Sequence, residues 1–138
     1  MRGILKKAVL FAIGGMIYVL IEIGFRGYSH PAMFFVGGLC FVLVGELNDS
    51  LPWEMPFWKQ MIAGGLIITL VEFLSGVALN LILGLHIWDY SNMPFNILGQ
   101  ICLPFTLAWI LLSAVAIVLD DYLRYWLFGE EKPHYKWR

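Results

Sequence analysis

The chain has 138 residues, of which 60% are hydrophobic and only 14% carry a charged side chain. Soluble domains are about one quarter charged, so this composition indicates a membrane protein. The formal net charge of −1 provides no basic surface to neutralise phosphates, and we therefore predict no nucleic-acid partner.

Four apolar runs follow one another along the chain, at residues 8–25, 32–47, 60–83 and 95–119. A helix needs about 20 residues, within a range of about 17–25, to cross a bilayer. We predict that all four runs are transmembrane helices and that Pro104 kinks the fourth. Residues 120–129 should either continue the fourth helix or lie as an amphipathic helix in the membrane interface, followed by a polar tail.

The predicted fold is an all-α integral membrane protein, a four-transmembrane-helix bundle in a single domain of residues 1–138. With an even number of spans, Lys59 and the basic residues of both terminal segments share one side of the membrane, whereas the other side carries only Arg26. The positive-inside rule then places both termini in the cytoplasm, and we expect a bacterial cytoplasmic membrane.

Two halves of the sequence resemble each other. Segment 14–22, GGMIYVLIE, matches 64–72, GGLIITLVE; Tyr-Ser occurs at 28–29 and at 90–91; and 36–40, VGGLC, matches 98–102, LGQIC. The matches keep the same order relative to the apolar runs. We predict two parallel two-helix repeats, at about residues 8–50 and 58–119, with a C-terminal interfacial helix and tail at 120–138.

Two glutamates fall inside the predicted spans at equivalent places of the two halves. A carboxylate in hydrocarbon costs several kcal/mol unless it is paired, protonated or hydrated, so Glu22 and Glu72 should face the bundle interior. Helical spacing places Asn80 on the same face as Glu72. The pair could bind a cation, a proton or an amine, or it could fasten helices through bonds to Arg26, a tyrosine or backbone groups.

A second polar cluster begins at residues 88–96, WDYSNMPFN, at the outer entrance of the fourth predicted helix. Asp89 and Ser91 are natural cap residues, Pro94 suits a first helical turn, and Asn96 and Gln100 would continue into the span. The cluster could be a helix cap or the lining of an outer mouth, and Asp89 or a glutamate should pair with Arg26. The candidate ligand-binding residues are Glu22, Arg26, Glu72, Asn80, Asp89, Tyr90, Ser91, Asn96 and Gln100.

The other polar residues give weaker evidence of a functional site. Glu46, Asn48 and Asp49 should form a solvated loop after the second helix. His30 and His86 lack the neighbouring ligands of a metal site. Because catalytic and phosphate-binding motifs are missing as well, we predict no catalytic residue, no metal and no cofactor.

The pattern of Glu72, then Trp-Asp-Tyr-Ser at 88–91 with Pro94, Asn96 and Gly99, then a span with Trp109, resembles the Putative ABC-transporter type IV (CmpB-like) membrane proteins. Glu22 with Arg-Gly at 26–27 is also similar to that family. The resemblance covers roughly the whole chain and implies a membrane protein connected with transport.

We therefore predict a small transport or channel subunit for a cation, a proton or an amine-bearing solute. It should act as a homo-oligomer in the lipid bilayer, because four short helices rarely enclose a pathway alone. Two alternatives stay open. One is a scaffold or lipid-binding protein without transport, and the other, which we favour least, is an enzyme acting on lipid head groups.

Overall fold

The computed structural model describes residues 2–27, 29–50, 55–130, 132, 133 and 135. Four helices make up most of this part of the chain: α1 (Arg2–Arg26), α2 (Pro31–Ser50), α3 (Phe57–Gly76) and α4 (Leu103–Phe128). A π-helical segment, Val77–Ile82, continues α3 without a break. The described residues include no β-strand, which confirms the predicted all-α class.

Among the described residues, three stretches are long and apolar enough to cross a membrane: Gly3–Gly24, Phe57–Ile82 and Leu103–Phe128. The apolar part of α2, Pro31–Leu47, is shorter. Leucines spaced four residues apart stay exposed on α3 (Leu66, Leu70, Leu74) and on α4 (Leu103, Leu107, Leu111). Such apolar rows suit contact with lipid. The chain is an integral membrane protein, while the fourth span and the internal repeat remain predictions.

Helix α1 packs along α2, and α3 packs along α4, because glycines remove side chains from the lines of contact. A Cβ on Gly38 of α2 would lie 2.6 Å from the backbone carbonyl oxygen of Phe11 on α1. A Cβ on Gly64 of α3 would lie 2.9 Å from Ser113 of α4. These glycines therefore let the two helices of each hairpin pack closely.

Helix α2 joins the two hairpins, since it contacts both α3 and α4. Val44 of α2 forms a buried apolar cluster with Phe57 and Ile68 of α3 and with Ile117 of α4. Val44 and Ile68 of this cluster also line the cavity described below.

Both terminal segments lie at one end of the bundle, which we call the terminal end. There the Lys6 ammonium is 3.0 Å from the Glu130 carboxylate, and the Lys7 ammonium is 3.7 Å from that of Glu46. Glu46 lies within α2, so the prediction of a solvated loop is wrong for this residue; the side chains of Asn48 and Asp49 lie outside the described part. Residues 83–102 form a long loop at the opposite end, the loop end.

The predicted start of the fourth helix near residue 95 is wrong, because α4 begins at Leu103. Phe95, Leu98 and Gly99 have left-handed backbone angles, with φ of 54°, 54° and 72°, which interrupt any helical path. Pro94 consequently lies in a turn of the loop and not in a first helical turn.

The kink predicted at Pro104 does not occur, because this residue lies in the first turn of α4. The backbone N–H groups of a first turn have no partner within the helix, so proline removes no hydrogen bond there. At its other end α4 continues to Phe128. Of the two expectations for residues 120–128, the continuation of the helix is the one observed.

Candidate functional site

Glu72 lies near the middle of the continuous helix that runs from Phe57 to Ile82, and only 7% of its surface is exposed. Its Oε1 atom accepts a hydrogen bond from Trp109 Nε1 at 3.0 Å, and its Oε2 atom accepts one from the Tyr90 hydroxyl at 3.0 Å. In the part of the chain that the structure describes, no Lys, Arg or His forms an ion pair with Glu72. Two neutral donors therefore hold this carboxylate.

Four rings form an aromatic cluster around Glu72. Tyr90 stacks on Phe105 with ring centroids 4.9 Å apart and planes 10° from parallel. Phe105 contacts Trp109 one helical turn further along α4, and Trp109 contacts Tyr18 of α1. The cluster fixes the orientation of the two rings that donate to the carboxylate.

A cavity of about 100 Å³ lies beside Glu72, between residues of all four helices and Trp88 of the loop. Its walls are mostly apolar, with Tyr18, Trp88 and Trp109 as the aromatic contributors. Among the described residues that line the cavity, Glu72 is the only acidic one. Tyr18, Trp88 and Trp109 were not among the predicted ligand-binding residues, although Trp109 belonged to the family pattern.

Glu22 is also buried, but it does not line this cavity. Its Oε1 atom accepts a hydrogen bond from the Ser29 hydroxyl at 2.9 Å, and its side chain is hydrogen-bonded to Tyr18. Tyr18 is thus bonded to Glu22, and its ring contacts Trp109, which donates to Glu72. The expected partner of these carboxylates, the side chain of Arg26, lies outside the described residues.

Asn80 and Gln100 attach the loop to the membrane helices. Asn80 Nδ2 donates to Gln100 Oε1 at 2.8 Å, and Asn80 Oδ1 accepts from the backbone N–H of Ile87 at 2.7 Å. The Gln100 side-chain Nε2 donates to the backbone carbonyl of Leu98, and the backbone carbonyl of Gln100 accepts from Trp88 Nε1 at 3.0 Å. Both side chains are almost fully buried and make loop contacts, and neither lines the cavity.

The remaining candidates shape the loop. Asp89 Oδ1 accepts a hydrogen bond from the backbone N–H of Ser91 at 2.9 Å, and this bond holds the pKa of the exposed Asp89 carboxyl below its ordinary value. Asn96 Nδ2 donates to the carbonyls of Met93 and Ser91, and Asn96 Oδ1 accepts from Gly99 N–H. These are turn contacts within the loop. The expected helix cap is wrong for this segment, because α4 begins at Leu103 and its N-cap residue is Cys102.

A buried ionic cluster at the terminal end was not foreseen. Arg124 Nε lies 3.0 Å from Asp120 Oδ2, and the same guanidinium is 3.4 Å from Glu46 and 3.9 Å from Glu130. We call Lys6, Glu46, Asp120, Arg124 and Glu130 the terminal network. The sequence signal was the spacing of four between Asp120 and Arg124, which places opposite charges on one helix face.

The comparisons with known proteins agree with the predicted resemblance. A family model described as Putative ABC-transporter type IV matches residues 3–128, which is nearly the whole chain. No solved structure matches the chain.

Proposed function

The chain belongs to the Putative ABC-transporter type IV family, and we propose that it is a transport subunit that binds a cation, a proton or an amine-bearing solute at Glu72. One observation carries the proposal. The Glu72 carboxylate is buried in an apolar helix, faces a cavity and forms no ion pair with any described residue.

The free-energy cost of burying the Glu72 carboxylate favours its binding of a positive charge. An acidic side chain at the centre of a membrane helix costs about 2.5–3.5 kcal/mol on insertion scales. Each Glu72 oxygen accepts one hydrogen bond, from Trp109 or Tyr90, and a carboxylate oxygen can accept about two. The remaining acceptor sites let the carboxylate take a proton or contact a cation in the cavity without losing its two donors.

We propose further that α2 is a fourth span, that both termini are cytoplasmic, and that the protein works as a homo-oligomer. A cavity of about 100 Å³ beside one acidic residue has room for a small solute but does not by itself form a path across the membrane. A second copy would complete such a path. Native mass spectrometry from lipid nanodiscs that detects only monomers would contradict the oligomer.

A scaffold function is the second candidate, and a specific observation favours it. Glu72 connects α3 to α4 through Trp109 and to the loop through Tyr90, so the carboxylate also fastens three parts of the fold. In this alternative Glu72 binds no solute, and its removal would mainly weaken the bundle.

The substitution Glu72→Gln separates the two candidates. It keeps the shape of the side chain and removes the charge. If Glu72 is the binding site, the purified variant in nanodiscs should no longer bind whichever of methylammonium, sodium and protons the wild type binds. Calorimetry and pH change measure this binding, and the melting temperature of the variant should stay within a few degrees of wild type.

Glu22→Gln is the matched control, since it removes a second buried carboxylate that does not line the cavity. We expect this variant to bind as wild type does. A Glu72→Gln protein that is strongly destabilised, together with a wild type that takes up none of the three cations, would rule out the binding function and leave the scaffold.

A further inference from the structure

The cavity beside Glu72 is poorly suited to a bare metal ion. Within the described residues no group of three or more His, Cys, Asp or Glu side chains could hold a metal, and Glu72 is the only acidic residue in the cavity wall. Calcium and magnesium take about six or more oxygen ligands in proteins. A hydrated metal ion that entered this cavity would lose water without gaining comparable ligands.

The aromatic part of the wall suits a different kind of cation. Trp88, Trp109 and Tyr18 line the cavity together with the carboxylate. Trp109 N–H is already bonded to Glu72 and Trp88 N–H to the carbonyl of Gln100, so neither indole has a polar edge left to offer. What these rings still present to a ligand is their π surface and carbon edges, and a cation over a ring face is attracted to it.

The size of the cavity is also informative. A single water needs roughly 10–15 Å³ of such a cavity, and an engineered apolar cavity of about 150 Å³ accepts benzene. The cavity beside Glu72 measures about 100 Å³. It therefore has room for a group of a few heavy atoms, about the size of a trimethylammonium head, and because the cavity is not fully enclosed the rest of a ligand can extend from it.

We propose that the ligand of this site is an organic ammonium ion with small apolar substituents. Glu72 neutralises its charge, while Trp88, Trp109 and Tyr18 contact its alkyl groups. Alkylated ammonium ions are weakly hydrated, and they exchange water for aromatic and apolar contacts at low cost. This inference rests on the proposed function, because it assigns a substrate class to the same carboxylate.

The test uses choline as the probe. The two comparisons are sodium and dimethylbutanol, which is the uncharged carbon isostere of choline. Binding to the full-length protein in nanodiscs is measured by calorimetry. We expect choline to bind at least about tenfold more tightly than either comparison. This measurement needs only the wild-type protein, so it does not depend on a variant that folds.

Two substitutions at one position isolate the aromatic contribution. Trp109→Phe keeps a ring and removes the N–H donor to Glu72, whereas Trp109→Leu removes both. Relative to Trp109→Phe, Trp109→Leu should bind choline about tenfold more weakly. Trp126→Leu is the control, because Trp126 is exposed and lies outside the cavity wall.

The outcomes separate this inference from the proposed function. Glu72-dependent uptake of sodium or protons, with choline no tighter than its uncharged isostere, would overturn the ammonium inference and leave the proposed function standing. Equal choline binding by Trp109→Leu and Trp109→Phe would also overturn it. Choline binding that survives Glu72→Gln would contradict both proposals.

Discussion

Glu72 shows how the partners of a buried residue come from distant parts of a chain. Its two donors, Tyr90 and Trp109, lie 18 and 37 residues away in sequence. Glu22 ends the matching segment of the sequence, yet its partners Ser29 and Tyr18 are only seven and four residues away. The two glutamates therefore differ in surroundings although their sequence contexts match, and only Glu72 reaches the cavity.

The Tyr90 hydroxyl gives a prediction for the pH dependence of stability. Burial, and next the neighbouring Glu72, raise the pKa of Tyr90 above its ordinary value. The unfolded chain loses this phenol proton at a pH of about 10, whereas the folded chain still keeps it at that pH. The folded state then binds more protons, so the free energy of unfolding must fall as the pH rises above about 10.

Tyr90→Phe keeps the ring on Phe105 and removes the titrating group. At neutral pH we expect the variant to lose about 1–2 kcal/mol of stability with the hydrogen bond to Glu72. Between neutral pH and pH values above about 10, its melting temperature in detergent should fall less than that of wild type. Parallel curves for the two proteins would show that Tyr90 titrates alike in the folded and unfolded states.

The elements of this protein depend on where backbone groups find partners. Residues 95–102 are mostly apolar and were predicted to be helical, yet they form a loop. The side chains of Asn96 and Gln100 hydrogen-bond to the backbone of its turns. The π-helical segment places Asn80 against Gln100, so the end of α3 and the loop satisfy each other's polar groups. Short π-helical segments often occur at functional sites, and this one follows Glu72 by one to two turns.

Helix contacts give a prediction at the glycines. Gly38→Ala should destabilise the α1–α2 hairpin by about 1–3 kcal/mol, because the new methyl would meet the backbone carbonyl of Phe11, which cannot swing aside. Thermal unfolding in detergent, followed by circular dichroism, measures the loss.

Gly24→Ala is the matched control on α1. A Cβ at Gly24 meets nothing within 4 Å, and alanine favours a helix over glycine by about 1 kcal/mol. The control should be neutral or slightly stabilising. If Gly38→Ala behaves like Gly24→Ala, the two helices do not pack at the observed separation.

At the scale of the whole molecule, polar contacts stabilise both ends of a largely apolar bundle. Asn80 and Gln100 hold the loop end, and the terminal network joins α1, α2 and α4 at the other. Tyr135 also contacts the terminal end: its hydroxyl donates to Asp121 at 2.7 Å, and its ring packs against Phe57. The cavity lies between these two fastened ends.

Arg124→Met tests the terminal network. The substitution keeps a long apolar side chain and removes the cation from beside the fully buried Asp120. Because loss of one partner from a buried ionic group typically costs about 3–5 kcal/mol, the variant should melt well below wild type.

Lys7→Met serves as its control, since Lys7 is exposed and its pair with Glu46 is worth at most about 1 kcal/mol. Similar melting temperatures for Arg124→Met and wild type would mean that the network contributes little to stability.

The sequence by itself determined the properties that depend on composition and local spacing. Apolar runs and sparse charge predicted an all-α membrane protein, and the Trp-Asp-Tyr-Ser segment with Glu72 predicted the family. Both follow from local chemistry, since a long apolar segment in lipid must satisfy its own backbone hydrogen bonds and does so as a helix.

Only the tertiary structure decided which polar residues meet. The start of α4 at Leu103, the bonds from Tyr90 and Trp109 to Glu72, and the ionic contacts of Arg124 all join segments far apart in the chain. Periodicity describes the face on which a residue lies but not the partner that faces it. In an apolar bundle each buried polar group needs such a partner, and three-dimensional packing selects it.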